Sequence, residues 1–248
     1  MAIDLNADLG EGMDDAAIMP FLTSANIACA MHAGDPETMD QTVALALAHG
    51  LQIGAHPGYA DRENFGRKPQ RMSLSAIEAL VLYQVSALEG IVRSRGGKLF
   101  YVKPHGALYN QAAEDLGLAG AIARGIQRLD PGLVLVGLAG SSLIEAARSA
   151  GLRVAEEAFA DRRYLANGKL SPRSRAGSVL EDPGEAAAQA LLIAKNGVVI
   201  AEDASRISLR ADTICLHGDT PGARSIASAI RQKLELEGVA IAPLVGRA

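Results

Sequence analysis

The sequence predicts an α/β fold: a TIM-like (β/α) barrel of parallel strands, seven-stranded or irregularly closed, forming a single domain over residues 1–248. Short apolar runs rich in β-forming residues alternate with helices that carry one apolar face. This alternation is typical of a parallel sheet covered by helices. The chain provides roughly seven such units, which favours a closed barrel, and an open doubly wound sheet is the alternative.

The predicted strands are short apolar or alternating runs that end at polar residues or glycines. The run at residues 99–102 is the clearest, because its sequence is Leu-Phe-Tyr-Val and two glycines precede it closely. In chain order the strands cover residues 3–8, 25–31, 51–55, 99–102, 133–137, 152–157, 198–200, 213–216 and 239–241.

The predicted helices begin and end at recognisable signals. Asp35 and Asp182 each precede a proline, the pattern of an N-cap followed by the first helical position. Gly50 and Gly151 end two helices. In chain order the helices cover residues 15–22, 36–49, 73 or 75 to 95, 114–129, 142–150, 183–196, and 221 or 222 to 237. The polar run 167–178 fits neither pattern, and we interpret it as a mobile excursion or lid.

The composition argues against several classes of protein. The formal charge is −4, and no basic stripe is interleaved with aromatics, so a nucleic-acid partner is not expected. No segment approaches the roughly 18 uninterrupted apolar residues of a membrane span, and the N-terminus shows no secretory signal pattern. Cys29 and Cys215 lie in apolar runs, so we interpret them as buried thiols of a cytoplasmic protein.

Polar side chains collect at the carboxyl ends of the predicted strands, which is where parallel α/β proteins place their sites. Four of the five histidines lie there, whereas His49 ends a helix and is interpreted as structural. We therefore predict one shared site. Its candidate residues are Asn6, Asp8, Glu11, His32, Asp35, His56, Lys103, His105, Tyr109, Asp161, Arg162, Arg163, His217 and Asp219.

Two kinds of chemistry fit these residues. Asp8, His56 and His105 could hold a divalent metal that activates water, although no fixed ligand spacing supports this. The same groups could act without a metal, as acid, base and oxyanion partners. Lysine and arginine side chains at the strand ends suit a carboxylate or a phosphate. The chain contains no Gly-x-x-x-x-Gly-Lys-Ser/Thr sequence, and therefore no P-loop motif.

Several motifs, in order along the chain, resemble those of the LamB/YcsF family. They are residues 4–12 (DLNADLGEG), 26–29 (NIAC), 32–36 (HAGDP), 54–59 (GAHPGY), 102–110 (VKPHGALYN), 157–164 (EAFADRRY) and 217–219 (HGD). Two positions depart from the family pattern. Ala30 stands where the family usually has glycine, and Lys68 follows Arg67 where a second arginine is expected, which would weaken bidentate anion binding.

The resemblance implies a barrel of the glycoside hydrolase/deacetylase type and an ATP-dependent reaction. In that reaction 5-oxo-L-proline, ATP and water give L-glutamate, ADP and phosphate, with 5-oxoprolinase subunits B and C as partners. A homo-oligomer is compatible with these expectations. Two alternatives stay open: a metal-dependent amidase or deacetylase, and a non-catalytic subunit that binds the lactam and presents it to its partners.

The implied reaction suggests a role for each candidate residue. We expect Lys103, with Arg162 or Arg163, to hold the substrate carboxylate or the transferred phosphate. Asp8 and His105 would position or deprotonate water. The remaining histidines, His32, His56 and His217, would polarise the carbonyl or serve the leaving nitrogen. The expected substrate-binding residues are Asn6, Glu11, Asp35, Tyr109, Asp161, Arg162, Arg163 and Asp219.

Overall fold

A computed structural model of the protein describes residues 2–218 and 222–244. Numbered in chain order, its strands are β1 (Ala2–Leu9), β2 (Ser24–Ala28), β3 (Gln52–His56), β4 (Leu99–Val102), β5 (Val134–Leu138), β6 (Arg153–Phe159), β7 (Val198–Ile200), β8 (Arg206–Ser208), β9 (Thr213–Leu216) and β10 (Ala240–Ile241). Strands β1 to β6 pair in sequence, all parallel, and β9 pairs with both β6 and β1. The sheet is thus a closed seven-stranded barrel, which confirms the predicted fold.

Helices surround this barrel. They are α1 (Asp15–Ile18), α2 (Pro36–Ala48), α3 (Leu74–Ser94), α4 (Gly106–Ala112), α5 (Leu116–Leu129), α6 (Ser142–Ser149), α7 (Pro183–Asn196) and α8 (Ala223–Leu236), with a 3-10 turn at Met19–Phe21. The expected caps are present: Asp35 accepts from Thr38 N at 2.8 Å and Asp182 from Glu185 N at 2.8 Å. These side chains satisfy amide groups that the first turn of a helix leaves unpaired.

The longest helix, α3, is long and apolar enough in length and composition to cross a membrane. One face of it is nevertheless buried against the rest of the fold, with Ile77, Val81 and Val85 in the core. It packs mainly on α5. This one-sided burial is the pattern of a helix that covers a core.

Strand β1 shows how the barrel divides apolar from polar side chains. Its odd-numbered residues, from Ile3 to Leu9, belong to the main hydrophobic core. Its even-numbered residues Asp4, Asn6 and Asp8 bond to groups on neighbouring strands. Because successive side chains of a strand point to opposite faces, β1 carries a polar row that rises to the carboxyl end of the barrel.

Three local features differ from the sequence predictions. Strand β2 ends at Ala28 instead of residue 31, because Ala30 adopts a left-handed conformation with φ of 61° that breaks the strand. Helix α4 occupies a segment in which no helix was predicted. Strand β8 was not predicted and forms an antiparallel hairpin with β7.

The polar run at residues 167–178 contains no helix or strand, as expected. Isolated β-bridges nevertheless pair residues within it or next to it with residues before it. Arg162 pairs with Val179, and Tyr164 pairs with Leu170. The expected start of the last helix at Pro221 lies outside the described residues, in which α8 begins at Ala223.

Candidate active site

A cluster of three imidazoles and two carboxylates lies at the carboxyl end of the barrel. Glu11 Oε1 is 2.9 Å from His32 Nε2 and 3.2 Å from His105 Nδ1. His56 Nε2 is 2.9 Å from His105 Nδ1 and 3.2 Å from Asp8 Oδ2. Strands β1 and β3 and the turns after β1, β2 and β4 carry these residues, so the fold brings together groups that are far apart in the sequence.

The hydrogen-bond partners of two histidines fix which ring nitrogen carries the proton. His56 Nδ1 lies 2.7 Å from the carbonyl oxygen of Lys103, and His105 Nε2 lies 2.8 Å from that of Phe65. A carbonyl only accepts, so both of these nitrogens carry hydrogen. In the neutral rings, the lone pairs of His56 Nε2 and His105 Nδ1 then face each other at 2.9 Å. A shared proton or a cation is needed to make this contact favourable.

His32 completes the cluster from one side. Its ring stacks on that of His105, with centroids 3.8 Å apart and an interplanar angle of 5°. Burial lowers the pKa of His32 to about 4, although the hydrogen bond with Glu11 acts in the opposite direction. A Cβ at Gly58 would lie 2.7 Å from His32 Nδ1, and one at Gly66 would lie 2.7 Å from His32 Cβ. Glycine at both positions therefore lets the long loop after β3 close over the imidazoles.

Opposing effects set the pKa values of the acidic groups and of His56. Burial raises the pKa of Asp8, but the charges of His56 and Lys103 lower it well below its usual value. Burial also raises the pKa of Glu11, but its hydrogen bonds with His105 and His32 lower this pKa overall. Burial lowers the pKa of His56, yet the Asp8 carboxylate raises it overall. The cluster thus keeps its carboxylates ionised.

Lys103 lies beneath this cluster and is only 2% exposed. Its Nζ is 3.0 Å from Asp8 Oδ1 and 2.9 Å from Glu157 Oε1. Cys215 Sγ at 3.0 Å and Asn6 Oδ1 at 3.3 Å complete its surroundings. Burial lowers the pKa of Lys103, but the negative charge of Asp8, with further contributions, raises it well above the usual value.

These contacts alter the role expected for Lys103. An ammonium has three N–H groups, and two carboxylates within the barrel already surround this one. The expected clamp on a substrate carboxylate or phosphate is therefore not what the structure favours. Lys103 instead holds Asp8 in position and balances the charge of Glu157.

Asn6 and Tyr109, two expected substrate-binding residues, also lie inside this network. Asn6 is 1% exposed and donates to Glu157 Oε1 at 3.1 Å and to Thr213 Oγ1 at 2.6 Å. Tyr109 donates its hydroxyl to Glu157 Oε2 at 2.8 Å. Their polar atoms therefore have internal partners in this network, and their expected contact with a substrate stays a prediction.

A second pair of residues lies on the other side of Asp8. His217 Nδ1 is 2.8 Å from Asp161 Oδ1, and the backbone N–H of His217 donates to Asp161 Oδ2 at 2.8 Å. Burial raises the pKa of Asp161, but the charge of His217 lowers it overall. His217 can also place a ring nitrogen within 4.8 Å of Asp8 and Cys215. The Asp161 carboxylate thus holds His217, and its expected contact with substrate stays a prediction.

Of the three other candidates, two lie away from this cluster and one lies outside the described residues. Asp35 is exposed and serves as the N-cap of α2. Arg163 is exposed too, and it bonds to the Gly177 carbonyl oxygen at 3.1 Å and to Glu185 at 3.4 Å. Their expected roles in substrate binding are therefore not supported by their positions. Asp219 lies outside the described residues.

Glu157 and Asn26 were not predicted as site residues, although both lie at the centre of its hydrogen-bond network. Glu157 is fully buried and accepts from Lys103, Tyr109 and Asn6. Asn26 donates to Asn6 Oδ1 at 2.7 Å and to Asp8 Oδ1 at 2.8 Å. The sequence did contain a signal for them, because each is a carboxylate or an amide inside an otherwise apolar strand. Burying such a polar group costs free energy unless it has hydrogen-bond partners.

Comparison with known proteins places the chain in a family. The sequence profile of the LamB/YcsF family matches residues 3–248. The chain belongs to the LamB/YcsF family. It is 49% identical over 250 residues to the A subunit of 5-oxoprolinase from Methylococcus capsulatus, covering 98% of this chain and 96% of that one. It is 50% identical over 246 residues to the corresponding 5-oxoprolinase chain of Bordetella pertussis, covering 97% of this chain and 98% of that one.

Solved structures agree with this assignment. A crystal structure of a lactam utilization protein from Thermus thermophilus superposes with a TM-score of 0.92 at 46% identity, covering 98% of this chain and 99% of that one. A putative cellobiose-phosphate cleavage protein from Enterococcus faecalis gives a TM-score of 0.55 at 12% identity, covering 98% of this chain and 97% of that one. The second likeness concerns the fold alone.

Proposed function

We propose that this LamB/YcsF protein is the lactam-opening subunit of an ATP-dependent 5-oxoprolinase. It would act on 5-oxo-L-proline together with 5-oxoprolinase subunits B and C. The observation that carries the proposal is the convergence of Asp8, His56 and His105 with the His217–Asp161 pair at one end of the barrel. The names of relatives at 49% and 50% identity support the same substrate.

The chemistry of the lactam explains why ATP is needed. The amine and carboxyl groups of glutamate sit at high effective molarity, so the five-membered ring closes readily and its opening must be driven. Phosphorylation of the lactam oxygen would activate the ring carbon. Water then attacks that carbon and the ring C–N bond breaks, so that the nitrogen leaves as the amine of γ-glutamyl phosphate. A second water hydrolyses this acyl phosphate and releases glutamate and phosphate. A cytoplasmic location, as expected from the two thiols, would supply the ATP.

His217 is the residue best suited to move the proton in this sequence. Asp161 holds the Nδ1–H of His217, which leaves Nε2 as the nitrogen with a free lone pair. That nitrogen can accept a proton from water and return it to the leaving nitrogen. Phe159 stacks on the imidazole, with centroids 5.6 Å apart, and restricts its rotation. Asp161 is thus a positioning residue, as in other carboxylate–histidine pairs.

A divalent cation fits the histidine cluster. Asp8, Glu11, His56 and His105 offer oxygen and imidazole nitrogen atoms, and the two inward lone pairs meet at 2.9 Å. Carbonyl oxygens hold the opposite ring nitrogens, as is usual for histidine ligands. Such a donor set suits Zn²⁺ or a similar ion. When bound, the ion would polarise the lactam carbonyl and lower the pKa of a water molecule.

The same donors favour a second candidate function, a metal-dependent amidase or deacetylase that needs no ATP. A third candidate is a subunit that binds the lactam without contributing to its chemistry. The three differ in what they require. The first needs ATP and the partner subunits, the second needs only the metal, and the third makes the site residues dispensable for the rate of the chemical step.

Glutamate release from 5-oxo-L-proline by purified proteins tests the proposal. We expect rapid release only when this chain, subunits B and C, and ATP are all present, and little or none by the single chain. Release at the same rate without ATP would favour the amidase. Rapid ATP-dependent release by subunits B and C without this chain would contradict the proposal.

A further inference from the structure

Arg162 is a buried cation near the mouth of the barrel, shortly after the end of β6. It is 5% exposed, and its Nη2 donates to the carbonyl oxygen of Ser171. Its Nε is buried and has no hydrogen-bond partner among residues 2–218 and 222–244. In the same described part of the chain, no carboxylate lies within ion-pair distance of it. A buried guanidinium in this state is costly unless an anion compensates it.

Further positive charge surrounds Arg162. Burial lowers its pKa to about 10, and the charges of Arg173 and Arg67 act in the same direction, whereas Asp161 opposes them. Asp161 does not compensate Arg162 directly, because both of its oxygens face His217. Arg173 also acts on Asp161, whose pKa its charge helps to lower. The charge of Arg173 therefore acts on both Arg162 and Asp161.

A cavity of about 380 Å³ lies on the same loop. Arg173, Arg175, Ser178 and Val179 are among its lining residues, and Val179 is the backbone bridge partner of Arg162. The cavity is large enough for a small ligand with one or two anionic groups. Glu181 also lines the cavity, and Arg175 is paired with Glu202.

We propose that Arg162 and Arg173 form a binding site for an oxyanion of the substrate, beside the His217–Asp161 pair. The planar guanidinium fork matches the geometry of carboxylate and phosphoryl oxygens and can bind them with two hydrogen bonds. The inference rests on the proposed function for the identity of the ligand, since the carboxylate of 5-oxoproline and the phosphoryl group from ATP share this chemistry. Arg173 was not a candidate from the sequence.

Isothermal titration of the full chain tests the site, with inorganic phosphate in one arm and 5-oxo-L-proline in the other, at constant ionic strength. We expect at least one probe to bind saturably to the wild type. Arg173→Gln should weaken that binding by about tenfold or more, as expected for loss of a charged hydrogen bond. Arg162→Lys keeps the charge but removes the fork, and it should weaken binding as well. The two arms distinguish a phosphoryl site from a carboxylate site.

Arg128→Gln is the matched control, because Arg128 is exposed on α5 and pairs with Glu78 far from the loop. It should bind both probes as the wild type does. Arg173 is only half-buried on a loop, so its variant tests the site even if Arg162→Lys fails to fold. The site is overturned if neither probe binds the wild type, or if Arg173→Gln binds as tightly as Arg128→Gln.

The outcome is separable from that of the proposed function. A reconstituted complex that does not open 5-oxoproline with ATP would contradict the function while anion binding at Arg162 and Arg173 persisted. Conversely, if neither arginine variant changed the affinity for the probes, the site would be overturned even if the complex released glutamate normally.

Discussion

His56 and His105 meet nitrogen to nitrogen, with Nε2 of one ring 2.9 Å from Nδ1 of the other. The outer nitrogen of each ring donates a hydrogen bond to a backbone carbonyl oxygen, so in the neutral rings the lone pairs of the two inner nitrogens face each other. Asp8 and Glu11 add negative charge to the same point. Either a shared proton or a cation held between these side chains would make the arrangement favourable.

Metal binding is the first prediction. Protein stripped with a chelator should bind Zn²⁺ stoichiometrically in a calorimetric titration, because the donors are already gathered. His105→Ala should weaken this affinity by at least about 100-fold, since it removes a ligand. His49→Ala serves as the control, because His49 is exposed at the end of α2. Equal Zn²⁺ affinity for the His105 and His49 variants would rule out this site and leave a shared proton as the explanation.

Lys103 should contribute more to stability than to substrate affinity. Lys103→Met leaves Asp8 and Glu157 without their buried counter-charge, so we expect it to lower the free energy of unfolding by about 3–5 kcal/mol. Adding Glu157→Gln should recover part of this loss, because only one carboxylate then lacks a partner. Urea denaturation measures both effects. Lys195→Met is the control, because it breaks an exposed pair with Glu237 and should lower the free energy of unfolding only slightly. A loss as small as this for Lys103→Met would contradict the account.

Ala30 should tolerate glycine better than most alanines do. Its φ of 61° lies in the left-handed region, where a Cβ costs roughly 1–2 kcal/mol. Ala30→Gly should therefore be neutral or stabilise the protein by about 0.5 kcal/mol, after the larger chain entropy of glycine is subtracted. The same change at Ala44, inside α2, should destabilise by about 1 kcal/mol. Thermal unfolding of the two variants provides the comparison, and equal destabilisation would refute the assigned strain.

The left-handed backbone at Ala30 gives a physical reason for the glycine that the family resemblance leads us to expect there. The sequence alone marked Ala30 as a departure from a usual glycine, but it did not reveal the reason. The left-handed conformation of Ala30 lies directly after β2 and two residues before His32. Arg62 fixes the turn by donating to the Ala30 carbonyl oxygen at 2.9 Å.

Asp15 should make stability depend on pH. Burial raises its pKa from 3.8 to about 6, and the charges of Glu11 and Asp14 raise it too, whereas the bond from Gly10 N opposes the shift. A raised pKa means that the folded state binds the proton more tightly than the unfolded state. The stabilisation is therefore complete below pH 3.8 and is lost as the pH rises through about 6.

The Asp15→Asn variant isolates this effect. Its free energy of unfolding, relative to the wild type, should increase by on the order of 2 kcal/mol between pH 4 and pH 7. Urea denaturation at several pH values measures the free energy of unfolding of both proteins. Subtracting one from the other removes the contributions of the titrating groups that they share. A flat difference for Asp15→Asn would contradict the raised pKa.

The elements of the barrel were predictable because they depend on local patterns. Apolar runs of four to eight residues indicated the strands, and caps such as Asp35 and Asp182 indicated helix starts. Helix α4 was missed because it is short and begins at Gly106, whose residue type opposes a helix. Strand β8 was missed because its three residues, Arg206–Ser208, alternate too briefly to be distinguished from a loop.

The site was predictable in outline only. Strand ends identified Asp8, His56 and His217, since topology brings such positions to one edge. Pairings such as Asp161 with His217, which are 56 residues apart, depend on which strands become neighbours. The sequence also could not separate a lysine that faces substrate from one that faces Asp8 and Glu157. Those distinctions depend on side-chain geometry within the closed barrel.

The central claim is that this chain supplies a reacting group and does more than present substrate. The kcat for glutamate release by the three-subunit complex carrying His217→Gln tests it most directly. Glutamine can still donate to Asp161 but cannot accept and return a proton, so we expect kcat to fall by about 10²–10⁴-fold with little change in KM. The complex carrying His49→Gln should match the wild type. A folded, assembled His217→Gln complex with near wild-type kcat would contradict the claim.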